Sequence, residues 1–188
     1  MKNYKKNLEL LSKNHVYSNE MEHDACGVGL IASTEGKKSR IIVEHGIEAL
    51  KAVWHRGAVD ADGKTGDGAG IHLEIPKDFF IEKIQVTGHD YDQSEICVGM
   101  IFLPRNDYSS QESCKTIVES ELTKSNFSIY GWRQVPVNPK VLGEKAIQTM
   151  PEIIQVLFKS NDPNLFDKEL ERKIYETRKK IENKAINL

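Results

Sequence analysis

ICVGMIFL, residues 96–103, is an unbroken apolar run closed by Pro104. A β-branched and aromatic run of this length, ended by a proline, predicts a strand buried on both faces. Working outward, Cys114, Ile117, Val118 and Leu122 recur at helical spacing and predict a helix. FSIYGWRQVPV at 127–137 predicts a second strand, finished by Pro136 and Pro139, and IIQVLF at 153–158 predicts a third. Leu170, Ile174, Ile181 and Ala185 lay one apolar stripe along a charged final helix. Upstream, CGVGLIAS at 26–33 reads as a buried strand, and IHLEI at 71–75 as an alternating strand stopped by Pro76. Between them Ser39 is placed to cap a helix whose Ile42, Ile47, Leu50, Val53 and Trp54 share a face. That helix would run to about His55, with Gly57 just beyond its end. Strands and amphipathic helices in this order predict sheets covered by helices, α+β or α/β, and leave open whether there is one sheet or two.

The chain has 188 residues, enough for one domain with its own core. Hydrophobic residues at 39% and charged residues at 29% fit a folded chain rather than a disordered one. A formal net charge of -2 gives no electrostatic footprint for nucleic acid, and the lysines near the C-terminus alternate with glutamates, as on a solvated helix face. No apolar run is long enough to cross a membrane, and residues 1–25 are polar throughout, without the apolar core of a secretory signal. Cys26, Cys97 and Cys114 are odd in number and form no CxxC pair, so a disulfide framework is not expected and a reducing cytoplasm is. The six histidines show neither HxxxH nor HExxH spacing, and no metal site is expected.

Three constellations could carry chemistry. Cys26 stands directly before Gly27 at the mouth of an apolar segment. A free cysteine in such a place is commonly core, but beside a glycine it also leaves room for a substrate to reach a thiolate nucleophile. Its base is not assigned by spacing; His23 and His55 are candidates by type alone. Trp54-His55-Arg56-Gly57-Ala58 lies at a helix end, where Gly57 suits a C-cap and the Arg56 fork could hold a carboxylate or a carbonyl. The Gly- and Asp-rich loop that follows contains Gly63-Lys64-Thr65 and invites comparison with a phosphate-binding loop. That motif needs glycine where Ala58 stands, and Asp60 and Asp62 would repel phosphate, so the loop reads as a tight, aspartate-braced turn. Cys97 reads as core, Cys114 as part of a helix face, and Phe79-Phe80 as core.

Taken in order, DACGVGLIAS, WHRGAVDADGKTGDGAGIHLEIP, the Phe79-Phe80 segment, the apolar strand and ERKIYETRKKIE resemble the class II glutamine amidotransferase domain that opens the large subunit of glutamate synthases. The resemblance runs from Asp24 to the C-terminus. It implies an α+β fold of the N-terminal nucleophile type, a four-layer αββα sandwich. It implies a leader, 1–25, removed so that Cys26 becomes the first residue of a domain spanning 26–188, its α-amine serving as base. Cys26 would attack the side-chain amide of glutamine and release ammonia through a γ-glutamyl thioester. Arg56 and Gly57 would shape the pocket, the loop from Asp60 to Gly70 would border it, and Asp67 would act as a structural brace. Partners implied are a synthase region carrying FMN and an iron–sulfur cluster, where ammonia aminates 2-oxoglutarate, and a small subunit; neither cofactor is expected within these residues.

One departure bears on activity. The family places an oxyanion-hole Asn-Gly and an arginine for the α-carboxylate of glutamine further along, and this sequence has no Asn-Gly dipeptide. Loss of an oxyanion donor lowers turnover by roughly 10²–10³, so little glutaminase activity is expected of these residues alone. A sandwich incomplete at the C-terminus should also leave apolar sheet surface or strand edges uncovered. The alternative to a working amidotransferase portion is an inactive remnant, or partner-binding fragment, of the same fold.

Overall fold

The fold is organised by EIIQVLFKS, Glu152–Ser160, whose apolar side chains point to both faces of a sheet. The computed structural model describes residues 13, 27–53, 59–66, 68–186 and 188. These fall into two compact units: 13, 27–53, 66 and 68–71 belong to one, and 59–65, 72–186 and 188 to the other.

In the first unit the principal element is helix α1, Arg40–Ala52. Ser39 caps it as its sequence predicts: its extended backbone aims Oγ at the Ile41 amide, 3.3 Å away. Ile42, Ile47 and Leu50 are half-buried on one side. Gly46 meets Ile71, which stands 3.0 Å from where a β-carbon would be. The expected strands at 26–33 and 71–75 do not form among the described residues. Val28 and Leu30 are 93% and 90% exposed, and Ile71 and Leu73 are also exposed. An apolar, alternating pattern favours extended backbone but supplies no ladder, and these segments pair with no strand.

In the second unit, helix α2, Lys77–Val86, starts directly after Pro76. Strand β1, Cys97–Leu103, leads to helix α3, Tyr108–Lys124, and then to strand β2, Phe127–Gln134. A 3-10 turn, Pro139–Val141, and a short helix α4, Glu144–Thr149, precede strand β3, Glu152–Ser160, and helix α5, Asp167–Ala185, closes the chain. The later strands and helices thus lie where the sequence predicts; α2 and α4 are additions. Strand order is β1-β3-β2, with β3 antiparallel to both neighbours, so the sheet is of the mixed α+β kind.

Register explains the two cores. Cys97 opposes Phe158 and Gly99 opposes Val156, while Ile129 and Trp132 face the same pair from β2. This face is covered by α3 and α5 through Val118, Leu122 and Leu170. On the other face Val98, Tyr130 and Leu157 take Phe80 and Ile84 from α2. A bulge lies between Ile129 and Gly131, where φ of +147° and a close approach of Thr87 both require glycine. Asp107 caps α3, and buried Glu121 joins α3 to α5 by accepting from Lys184 Nζ at 2.6 Å and Lys124 Nζ at 3.2 Å. Beyond α2 the second face exposes Met100 and Phe102, and β1 and β2 each have one unpaired edge among the described residues.

Leu157 has no exposed surface and lies on the strand that both neighbours pair with. Leu157→Ala should destabilise the fold by about 2–5 kcal/mol in urea denaturation, whereas Val86→Ala, at an exposed position, should change it by less than about 0.5 kcal/mol.

Candidate active site

Cys26, Arg56, Gly57 and Asp67, with His23, His55 and residues 1–12 and 14–25 of the expected leader, lie outside the described residues. Their chain neighbours are described. Gly27 lies at the C-terminal end of α1: a β-carbon built on it would meet Val53 at 3.7 Å. The fold thereby brings together the residue directly after Cys26 and the residue three before Arg56. Each peptide step spans at most about 3.6 Å, so both tethers are short.

The turn downstream of Arg56-Gly57 is braced by aspartates, as its composition predicts. Asp62 Oδ1 accepts from the Lys64 amide at 2.9 Å and the Thr65 amide at 2.7 Å, and Oδ2 accepts from Thr65 Oγ1 at 2.5 Å. The Asp60 amide donates to the Thr65 carbonyl at 2.7 Å, and Gly63 takes φ of +68° at the tip. This geometry settles the Gly-Lys-Thr question. A phosphate cradle needs free amide donors, and those of Lys64 and Thr65 are already given to Asp62. The Thr65 hydroxyl first, then the Lys64 and Thr65 amides, hold the Asp62 carboxyl down at about 2 from its ordinary 3.8.

Residues that sequence reasoning missed anchor this turn from far along the chain. Lys145 Nζ lies 2.6 Å from Asp60 Oδ2, and the Lys145 backbone N–H makes the smallest of the contributions that hold the Asp62 carboxyl down. Gly143, which caps α4 without a side chain, fits directly against Thr65 and Asp62, where a β-carbon would collide. Nothing in local sequence marks Gly143 or Lys145, because the contact spans 85 residues.

The described cysteines differ from a nucleophile's setting. Cys97 is buried in the core, and its thiol is pushed up to about 12 by burial, with the charges of Glu95 and Glu171 adding to it. Cys114 is half-buried on α3. Among the described residues no group of three or more His, Cys, Asp or Glu could hold a metal ion, and no helix is long and apolar enough to cross a membrane.

Residues 26–188 match the sequence family described as "Glutamine amidotransferases class-II". The chain belongs to this family. Relatives of the chain include the "Glutamate synthase [NADPH] large chain" of Azospirillum brasilense, 50% identical over 95% of this chain and 12% of the relative. The "Ferredoxin-dependent glutamate synthase" of Pyropia yezoensis is 41% identical over 92% of this chain and 11% of its own. The "Ferredoxin-dependent glutamate synthase 1, chloroplastic/mitochondrial" of Arabidopsis thaliana is 40% identical over 86% and 10%. The chain therefore spans about a tenth of the length of these glutamate synthases.

Two measurements check the geometry. Because the folded Asp62 carboxyl titrates lower than the unfolded one, its contribution is complete above about 3.8 and is lost as pH falls through about 2. The Thr65 amide proton should therefore move with a midpoint near about 2 in an NMR pH titration, and Asp62→Asn should abolish the step. Iodoacetamide at pH 8 should leave Cys97 unmodified in the native chain and alkylate it in urea, as read by peptide mass mapping.

Proposed function

We propose that the chain is the front portion of a glutamate synthase amidotransferase domain, with Cys26 as the nucleophile that takes ammonia from glutamine. The observation that carries this reading is the family match, which starts at Cys26 itself and runs to residue 188. The contact of Gly27 with Val53 supports it, because it sets the residue after Cys26 against the end of the helix that precedes Arg56 in the sequence.

Removal of residues 1–25 would leave Cys26 with a free α-amine, whose ordinary pKa of about 7.7–8.0 suits proton transfer near neutral pH. The amine takes the thiol proton, and the thiolate attacks the side-chain amide carbon of glutamine. The tetrahedral oxyanion collapses as the protonated amine returns its proton to the leaving nitrogen, giving ammonia and a γ-glutamyl thioester. Water, deprotonated by the same amine, attacks the thioester and releases glutamate and the thiol. In sum, glutamine and water give glutamate and ammonia. Arg56 and Gly57 shape the pocket, and Asp67 braces the loop behind it. The four-layer αββα sandwich of the N-terminal nucleophile type is the architecture that goes with this chemistry.

Ammonia would then pass to a synthase region bearing FMN and an iron–sulfur cluster, with a small subunit as partner, in the cytoplasm. An iron–sulfur cluster needs several thiolate ligands, and of the two described cysteines Cys97 is enclosed and held in its thiol form. No step above runs through FMN or a cluster.

Intact mass with 6-diazo-5-oxo-norleucine, a glutamine analogue that alkylates the nucleophile, tests the reading. The expected result is one adduct on a chain that begins at Cys26, absent from Cys26→Ala. A full-length, unmodified mass, or an adduct that survives Cys26→Ala, would overturn it and favour an inactive remnant of the same fold.

A further inference from the structure

We propose that the part of the sheet left open beside α2 is a docking surface for a polypeptide segment that presents a carboxylate among apolar side chains, the carboxylate being received by Arg133 and Lys83. The proposal stands apart from the glutamine chemistry and uses residues of the second compact unit alone.

Register builds the surface. On the face that packs against α2, Met100 of β1, Gln155 of β3 and Arg133 of β2 stand in one row across the sheet. The row is bonded throughout: Arg133 Nη1 donates to Gln155 Oε1 at 2.6 Å, and Gln155 Nε2 donates to Met100 Sδ at 3.1 Å. On one side of this row Val98 and Leu157 are covered by Phe80 and Ile84 of α2. On the other side Phe102 opposes Ile153, and Phe102 and Met100 are 63% and 48% exposed. Contiguous apolar side chains left open on a sheet face mark an interaction surface.

Charge says what the surface takes. Phe79 and Lys83 are one turn apart on α2, and the Phe79 ring has the Lys83 ammonium 5.0 Å and the Arg133 guanidinium 5.1 Å from its centre. Both cations are half-buried, and among the described residues neither is in an ion pair, although Asp78 and Glu82 share the helix. Two partly desolvated cations drawn to one ring repel each other, and an anion beside them relieves both. Arg133 gives Nη1 to Gln155 and keeps the rest of its fork for a carboxylate. β1, which carries Met100 and Phe102, has an unpaired edge among the described residues. Unmet backbone groups beside an apolar patch favour a polypeptide over a lipid surface or a small ligand. A net charge of -2 adds no general attraction to an anionic membrane.

The test uses the full chain and a short, end-blocked, dye-labelled peptide, Ser-Val-Phe-Glu-Phe-Val-Ser, beside its counterpart with Gln for Glu. Binding is read by fluorescence anisotropy and by NMR shifts of the Met100 methyl and the Arg133 side-chain N–H. The Glu peptide should bind and move both signals, and the Gln peptide should bind about tenfold more weakly. Arg133→Gln and Lys83→Gln should each weaken the Glu peptide by about tenfold, and Arg133→Lys by less. Phe102→Ser should weaken both peptides alike. Lys115→Gln, on α3 where Lys115 is paired with Glu112, should change neither. Urea midpoints separate binding from folding, and Lys83→Gln, which breaks no hydrogen bond to the sheet, carries the test should Arg133→Gln unfold the chain. Equal binding of the two peptides, binding of neither, or affinity unmoved by the cation variants would overturn the proposal. Pelleting with phosphatidylglycerol vesicles that Phe102→Ser abolishes would make the surface a membrane contact and overturn the polypeptide occupant. A dimer in sedimentation that Phe102→Ser dissolves would place a second copy there and overturn it likewise.

Discussion

The structure depends on β3 being paired along both edges while apolar on both faces. Its alternation sends Ile154, Val156 and Phe158 toward α3 and α5, and Leu157 toward α2. A slip of one residue on either side would exchange the two sets and face charged Lys159 into the larger core. Register is held on the β1 side by an uninterrupted ladder from Cys97 to Leu103. On the β2 side the bulge at Gly131 absorbs one residue, so that Ile129 and Trp132 both return to the covered face.

Polar groups then fix each layer where the apolar contacts alone would let it slide. Glu121 is buried between α3 and α5, and two lysines hold its carboxyl below the usual range, Lys184 more than Lys124. On the opposite face Asp92 plays the corresponding part. It accepts from Tyr130 Oη at 2.8 Å, from the Ser94 amide at 3.2 Å and from Lys159. Lys159 foremost holds the Asp92 carboxyl well down, and burial foremost, then the bond to Asp92, pushes the Tyr130 phenol up. Glu121, being buried, would keep its desolvation without its compensation if it lost Lys184 and Lys124, so that cluster specifies one arrangement of α3 on α5.

Much of this was legible in the residues, for identifiable reasons. Cys97–Leu103, Phe127–Gln134 and Glu152–Ser160 are strands because their apolar runs are ended by prolines or polar turns and find one another. Gly27–Ser33 and Ile71–Ile75 carry a similar pattern, yet period reports which side chains want cover and not whether a partner strand is adjacent. Helix α2 was hidden by its own Phe79-Phe80, an adjacent pair that dilutes a helical stripe: Phe80 is buried while Phe79 is exposed and packs edge-to-face on it. At the candidate site the aspartate bracing of the turn follows from residue type, since Asp readily accepts from amides two and three residues on. Lys145 could not be found that way; one lysine among many is singled out only when the chain returns across 85 residues.

These contacts also narrow the chemistry. The Lys64 and Thr65 amides are spent on Asp62 and the Gly63 amide on the Asp60 carbonyl, which removes nucleotide binding from the turn and turns a phosphate-like sequence into a brace. Cys97 is held as a thiol inside the core, which removes it from contention as a nucleophile. The residue after Cys26, Gly27, offers no side chain, and α1 ends against Gly27 at Val53. A nucleophile needs open approach for the substrate together with a rigid element behind it. A small residue after Cys26 and a capped helix before Arg56 in the sequence suit the proposal that the nucleophile stands at the start of the matched family segment and not in the strand that founds the sheet.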